Sequence, residues 1–218
     1  MNCSVANFGP RLFPFWNFVL NCSATVSPEG YAPNITIIHS TISDWQLSMY
    51  GKSNATITDS TVGTLFSYDY TKVWLVNSTA LHIQYSMEGK IYVSWYLDAH
   101  VIDSIGQNVL SANVTATYPN ATVVESKLAD ANGWARFTLL EKMMNATGDY
   151  PVGNYTVEAT YGIYSDQTTV NITENQQITL TLADFIIPEF PSFLILPLFM
   201  VGTLFAVIIC RRKYAIPG

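Results

Sequence analysis

The stretch IHSTISDWQLSMYGKSNATITDSTVGTLFSYDYTKVWLVNSTA, residues 38–80, carries one polar triplet three times: His39-Ser40-Thr41, Asp59-Ser60-Thr61 and Asn77-Ser78-Thr79. Two more stand upstream, Asn2-Cys3-Ser4 and Asn21-Cys22-Ser23, so successive triplets are 19, 18, 20 and 18 residues apart. The flanks repeat as well, with Met1, Leu20, Ile38, Thr58 and Val76 before the triplet and Val5, Ala24, Ile42, Val62 and Ala80 after it. Side chains alternate between faces along a strand. The pattern therefore predicts one short strand per repeat, with both flanks and the small Cys or Ser pointing inward. Asn, His or Asp and the following Ser or Thr then point outward. A period near 20 whose units each leave an apolar column to be covered predicts a solenoid, in which every rung buries its inner face on the next. Asn34 and Asn54, also 20 apart, fall in one column of another turn.

Residues 1–86 resemble on this ground the right-handed parallel β-helix of pectate-lyase-like surface proteins, an architectural likeness without a catalytic motif. Cys3 and Cys22 share the inward column one rung apart. Strands about 4.8 Å apart bring two such cysteines within disulfide range but with parallel Cβ vectors. The pair reads either as a disulfide or as two members of the small-residue ladder that Ser40, Ser60 and Ser78 continue. The repeat starts at Met1 without a cap, and residues 1–20 have a single cation, Arg11, and a stretch broken by Pro14 and Asn17, unlike a signal sequence. The expectation is a chain continued upstream by further rungs.

Beyond Gly89 the period ends. Apolar alternation at 91–102, 109–118, 121–128, 134–140, 153–161, 167–173 and 177–182 predicts seven strands of an antiparallel sandwich, residues 88–184. Turn chemistry at Asp103-Ser104-Ile105-Gly106, Asp130-Ala131-Asn132-Gly133 and Val152-Gly153-Asn154-Tyr155 marks the boundaries. The order Asp103-x-x-Gly106, Ala112-Asn113-Val114, Asp130-Ala131-Asn132-Gly133-Trp134-Ala135-x-Phe137, Pro151-Val152-Gly153-Asn154-Tyr155-Thr156-Val157-x-Ala159 resembles the carboxypeptidase regulatory-like or transthyretin-like sandwich. That resemblance implies a non-catalytic spacer or binding support with Trp134, Phe137, Tyr155 and Val157 in its core. An EF-hand reading of Asp130-x-Asn132 fails, because Ala135 stands where that loop requires glycine.

The 18 residues Phe193–Cys210 contain no charge, and as a helix they reach about 27 Å, the thickness of a bilayer core. They predict a transmembrane span, the one helix of an otherwise all-β chain. Arg211, Arg212 and Lys213 follow at once and assign the tail 211–218 to the cytoplasm. Residues 1–192 hold all 16 anions and 7 of the 10 cations, so everything before the span reads as an acidic exterior region of a single-pass membrane protein. The stalk 185–192 includes Pro188-Glu189-Phe190-Pro191. With the helix and the basic end, it resembles the PEF-type sorting signals of archaeal surface proteins, which implies processing by an archaeosortase-like enzyme. Without processing it reads as a proline-stiffened lead into an ordinary anchor.

Ten of the 15 asparagines begin an Asn-x-Ser/Thr triplet: Asn2, Asn21, Asn34, Asn54, Asn77, Asn113, Asn120, Asn145, Asn154 and Asn171. The Ser and Thr content alone predicts about three such matches, and a short motif means little singly. All ten lie on the side assigned to the exterior, which reads as an N-glycosylated ectodomain. Only 12% of residues are charged, about half the globular average, and polar Ser, Thr and Asn take their place.

The acidic balance of −6 excludes a nucleic-acid face. His39, His82 and His100 have no metal-ligand spacing, and no motif for a cofactor or a catalytic triad occurs. The function expected is adhesion, carbohydrate binding or envelope structure, without catalysis, with the lipid bilayer and surface polysaccharide or envelope proteins as partners. The aromatic series Trp45, Tyr50, Phe66, Tyr68, Tyr70 and Trp74 offers stacking surfaces for sugar rings. The alternative is the C-terminal part of a membrane-anchored β-helix polysaccharide lyase or hydrolase, for which Asp44, Asp59, Asp69 and Glu88 are the candidate carboxylates.

Overall fold

A computed structural model describes residues 17–21, 34–49, 54–85, 88–186 and 199–205. The chain divides into two compact units, Met1–Phe185 and Ile186–Gly218. The described part of the first is all β. Five short strands, β1 (Asn17–Asn21), β2 (Asn34–Ile38), β4 (Asn54–Thr58), β6 (Lys72–Val76) and the start of β8 (Lys90–Asp103), form one parallel ladder. A second parallel ladder is built from β3 (Thr41–Met49), β5 (Thr61–Ser67) and β7 (Thr79–Tyr85). Asn34, Asn54 and Lys72 pair in register, as do Thr41, Thr61 and Thr79, so the 18- to 20-residue period of the sequence is the stacking period of the rungs.

The first two residues of the repeated triplet lie between strands and the third opens the next strand. The first residue of the triplet turns the chain from one ladder to the other in left-handed backbone: φ is 50° at His39, 49° at Asp59 and 45° at Asn77. Asp and Asn tolerate this conformation better than other non-glycine residues. The corner interrupts the alternation of faces, so the residue just before the triplet is not the inward one. Ile38, Thr58 and Val76 are half-buried, whereas Ile37, Ile57 and Leu75 fill the core with Val62, Leu65, Val73 and Ile91. The middle serine is inward as the pattern predicts: Ser40, Ser60 and Ser78 are all buried.

The remaining strands are β9 (Asn113–Thr117), β10 (Val123–Leu128), β11 (Trp134–Asn145), β12 (Gly148–Pro151), β13 (Asn154–Tyr161), β14 (Tyr164–Asn171) and β15 (Gln176–Leu182). One sheet has the order β10-β9-β13-β14. The facing sheet is the continuation of the first ladder: β8 pairs with β6 through Lys90–Ser94, with β11 along most of its length and with β15 through Leu97–Asp103. A purely antiparallel sandwich is not what forms, because β15 runs parallel to β8. The chain leaves β14, crosses between the sheets at buried Ile172, and so enters β15 from the end at which β8 arrives. Phe137, Tyr155 and Val157 are core residues, while Trp134 is only half-buried and stacks on His100 at 4.3 Å.

In the second unit a helix occupies 199–205 with its side chains exposed, and Thr203 Oγ1 donates to the Met200 carbonyl. Among the described residues no helix is long and apolar enough to cross a membrane. The rest of the expected span 193–210, the motif Pro188 to Pro191 and the cations Arg211, Arg212 and Lys213 lie outside the described residues, as do Cys3 and Cys22.

Candidate functional site

Three successive corners bring His39, Asp59 and Asn77 into one column on the surface. Backbone bonds hold the corners in register: His39 N–H donates to Thr58 O, Asp59 N–H to Val76 O and Asn77 N–H to Ser94 O, at 2.9–3.0 Å. Beneath them the serines form an internal ladder. Ser60 Oγ accepts from Ser40 N–H at 2.9 Å and Ser78 Oγ from Ser60 N–H at 3.0 Å, while the Ser60 and Ser78 hydroxyls donate to Thr58 O and Val76 O. A residue that is small and also both donor and acceptor is required there, which accounts for the recurrence of serine.

The corners border a groove of about 420 Å³ lined by His39, Asp59, Asn77, the serines Ser40 and Ser60, and Thr41, Thr61 and Thr79, with Trp95 at one end. Among the described lining residues Asp59 is the only carboxylate. One oxygen accepts from Asn77 Nδ2 at 2.6 Å; the other faces His39 Nδ1 at 3.6 Å and accepts from the Tyr96 hydroxyl at 3.4 Å. Burial, then the Asp59 charge and the hydrogen bond to it, push the Tyr96 hydroxyl above its usual range. The Arg136 guanidinium lies over the Tyr96 ring at 5.1 Å and clamps Asp98 through two bonds of 2.7 and 2.9 Å. Asn175 closes the column from the sandwich side: its Nδ2 donates to Asn77 Oδ1 at 2.7 Å and its Oδ1 accepts from Tyr96 N–H at 2.9 Å. Trp95 Nε1 donates to Glu141 at 2.6 Å, which fixes the indole.

The arrangement is a row of donors and acceptors at rung spacing, about 4.8 Å, beside one anionic group and one aromatic edge. Such a row complements a hydroxyl-rich chain. Among the described residues no three His, Cys, Asp or Glu side chains are grouped to hold a metal ion.

Of the three candidate carboxylates whose side chains are described, Asp59 enters the groove and the other two do not. Asp69 turns the opposite corner in left-handed backbone, Glu88 is an exposed turn residue, and the side chain of Asp44 lies outside the described residues. Among the aromatics, Phe66 stacks on Tyr68 at 5.7 Å and Trp74 on Tyr92 of the next rung at 5.6 Å, while Tyr70 is exposed. The side chain of Trp45 and all of Tyr50 lie outside the described residues. The triplet spacing points to His39, Asp59 and Asn77, but nothing in it indicates Trp95, Tyr96 or Asn175, which arrive from the sandwich.

The glycosylation candidates Asn113, Asn120, Asn154 and Asn171 are exposed; Asn54, Asn77 and Asn145 are half-buried. Asn2 and the side chains of Asn21 and Asn34 lie outside the described residues. Asp103 and Asp130 are turn formers. Asp103 Oδ1 accepts from the N–H groups of Ile105 and Gln107, and Asp130 Oδ1 from those of Asn132 and Trp134.

No protein-family model and no curated protein matches the chain. Among solved structures it is similar to the Bacillus anthracis TIE protein, at 19% identity and a TM-score of 0.32, over 47% of this chain and 18% of that one. It is also similar to GBS52, the minor pilin of Streptococcus agalactiae, at 12% identity and a TM-score of 0.33, over 52% of each chain. At these scores neither likeness fixes a fold or a function.

Proposed function

We propose that this chain is a single-pass cell-surface glycoprotein whose corner groove binds a hydroxyl-rich glycan of the surface or its surroundings, in an adhesive or envelope-structural role without catalysis. The observation that carries this reading is the in-register column of His39, Asp59 and Asn77 walled by Thr41, Thr61 and Thr79. Its one carboxylate and its polar spacing fit recognition better than bond cleavage. The sequons, the apolar stretch 193–210 and the basic tail support the exterior, anchored reading. The pectate-lyase-like and transthyretin-like resemblances agree with a ligand-bearing rung stack on a sandwich support. The motif Pro188-Glu189-Phe190-Pro191 supports processing by an archaeosortase-like enzyme, and mass spectrometry of the mature C-terminus tests that: an intact Gly218 rules it out.

The groove is tested on a glycan array run with a parallel lyase and hydrolase assay on the full chain. Binding without cleavage is expected, weakened several-fold by Asp59→Ala. Unsaturated or shortened products would establish the polysaccharide-active alternative instead.

A further inference from the structure

The two ends of the sandwich differ in chemistry. At one end lie the loop 104–112, the loop 129–133, the two-residue turn between β13 and β14, and the chain that leaves β15. This common end follows from the pairings Thr160↔Asn113, Leu128↔Asn113, Trp134↔His100 and Leu182↔Asp103. The turn Tyr161-Gly162-Ile163-Tyr164 uses Gly162 at φ 61° and places Ile163 at its tip with 92% of its surface exposed. A β-branched apolar residue gains nothing at such a tip in water, where polar turn formers are favoured. Ile105 projects from the neighbouring loop at 57% exposure, with Leu110 and Leu128 also exposed at this end. The tips are held firmly. Phe185 packs against the rings of Tyr161 and Tyr164 at 5.0 and 5.2 Å, and its carbonyl accepts from both Ser104 N–H and Ser104 Oγ at 2.9 Å. Buried Asp103 fixes the Ile105 turn through the two backbone bonds described above.

The opposite end exposes Val123 and Tyr150 but also carries most of the sequons of the sandwich. Asn120, Asn145, Asn154 and Asn171 all stand there, and so do the rungs, which join β8 through its first five residues. At the apolar end Asn113 is the one sequon, on the outer face of its sheet. Residues 104–112, 129–133 and 161–166 contain no Lys or Arg.

We infer that the apolar end, Ile105 and Ile163 with Tyr161, Tyr164 and Phe185, is a footing that rests in the interfacial layer of the bilayer into which residues 193–210 insert. The inference rests on the membrane-anchored reading above. Its occupant follows from the chain itself: only residues 187–192 separate this end from the apolar stretch, a reach of at most about 25 Å when fully extended. Tyrosine rings with aliphatic tips suit the headgroup boundary, where one end of the side chain is wet and the other apolar. With no cations present, attachment is apolar in origin and insensitive to salt.

The test reconstitutes the full chain into phosphatidylcholine vesicles containing a phospholipid with a diazirine near its headgroup, followed by flotation, photolysis and peptide mapping. The expected result is a chain that floats, with peptides covering 104–110 and 161–164 labelled several-fold above the 118–122 loop at the other end, in low and high salt alike. The double variant Ile105→Ser, Ile163→Ser should float equally well and lose that excess. A floating chain whose tips label no more than 118–122 overturns the footing and leaves the anchor standing. A chain that does not float overturns both.

Discussion

Ser60 is held by both neighbours in the column, accepting from Ser40 N–H and presenting its own N–H to Ser78 Oγ. Its replacement by alanine removes the hydroxyl that accepts from the buried Ser40 N–H and donates to Thr58 O, which costs about 1–3 kcal/mol. Ser60→Ala should therefore lower the denaturation midpoint measurably. Asn77 illustrates a different constraint. Its amide nitrogen lies 2.6 Å from Asp59 and its amide oxygen is engaged by Asn175, so a sugar on Nδ2 would compete with the corner itself. Mass spectrometry of the purified protein should find Asn77 bare while Asn120, Asn154 and Asn171 carry glycan; occupied Asn77 would mean that the corner does not persist. Tyr155 is fully buried, with its hydroxyl donating to Leu140 O at 2.7 Å, and burial together with neighbouring Tyr118 pushes that hydroxyl far above the ordinary 10.0. The folded state keeps a proton that the unfolded chain releases at about pH 10, so this contribution is whole below pH 10 and falls as pH rises beyond it. Tyr155→Phe should cost about 1 kcal/mol near neutrality yet show a shallower alkaline decline, as read by denaturant titrations on either side of pH 10.

At the level of elements, the rung period was legible because it is written in polar triplets, whereas the role of the triplet was not. Alternation assumes an unbroken strand, and left-handed backbone at His39, Asp59 and Asn77 shifts the inward position by one residue, from Ile38 to Ile37 and from Thr58 to Ile57. The sandwich strands were legible from alternation and turn residues. Strand β12 was not, since Gly148-Asp149-Tyr150-Pro151 is short, exposed and reads as a turn. The direction of β15 was hidden too, because a strand's own pattern says which face is buried and nothing about which partner it meets. The groove was half-legible for the same reason: periodicity aligns the corners, but Trp95, Tyr96 and Asn175 reach it through pairing distant in sequence. Gly89 lies where rungs become sandwich, and a Cβ there would clash with the Ser67 carbonyl oxygen, beside the buried Ser67–Thr71 hydroxyl pair. Gly89→Ala should cost about 1–3 kcal/mol as overpacking, seen as a lowered Tm.

Across the molecule, β8 belongs to both halves of the first unit: its first five residues close the rung stack and its last seven pair with β15. The rungs and sandwich thus share one continuous sheet, and they should unfold in one transition by circular dichroism; two separated transitions would mean that the shared strand does not couple them. The parallel direction of β15 has a mechanical consequence. A pull that draws the rungs one way and the chain beyond Leu182 the other loads β8 from its start and β15 from its end. The seven residue pairs between Leu97–Asp103 and Gln176–Leu182 then bear the load together in shear, whereas an antiparallel last strand would peel open one bond at a time. Tension along this axis is thus carried by a ladder loaded along its length.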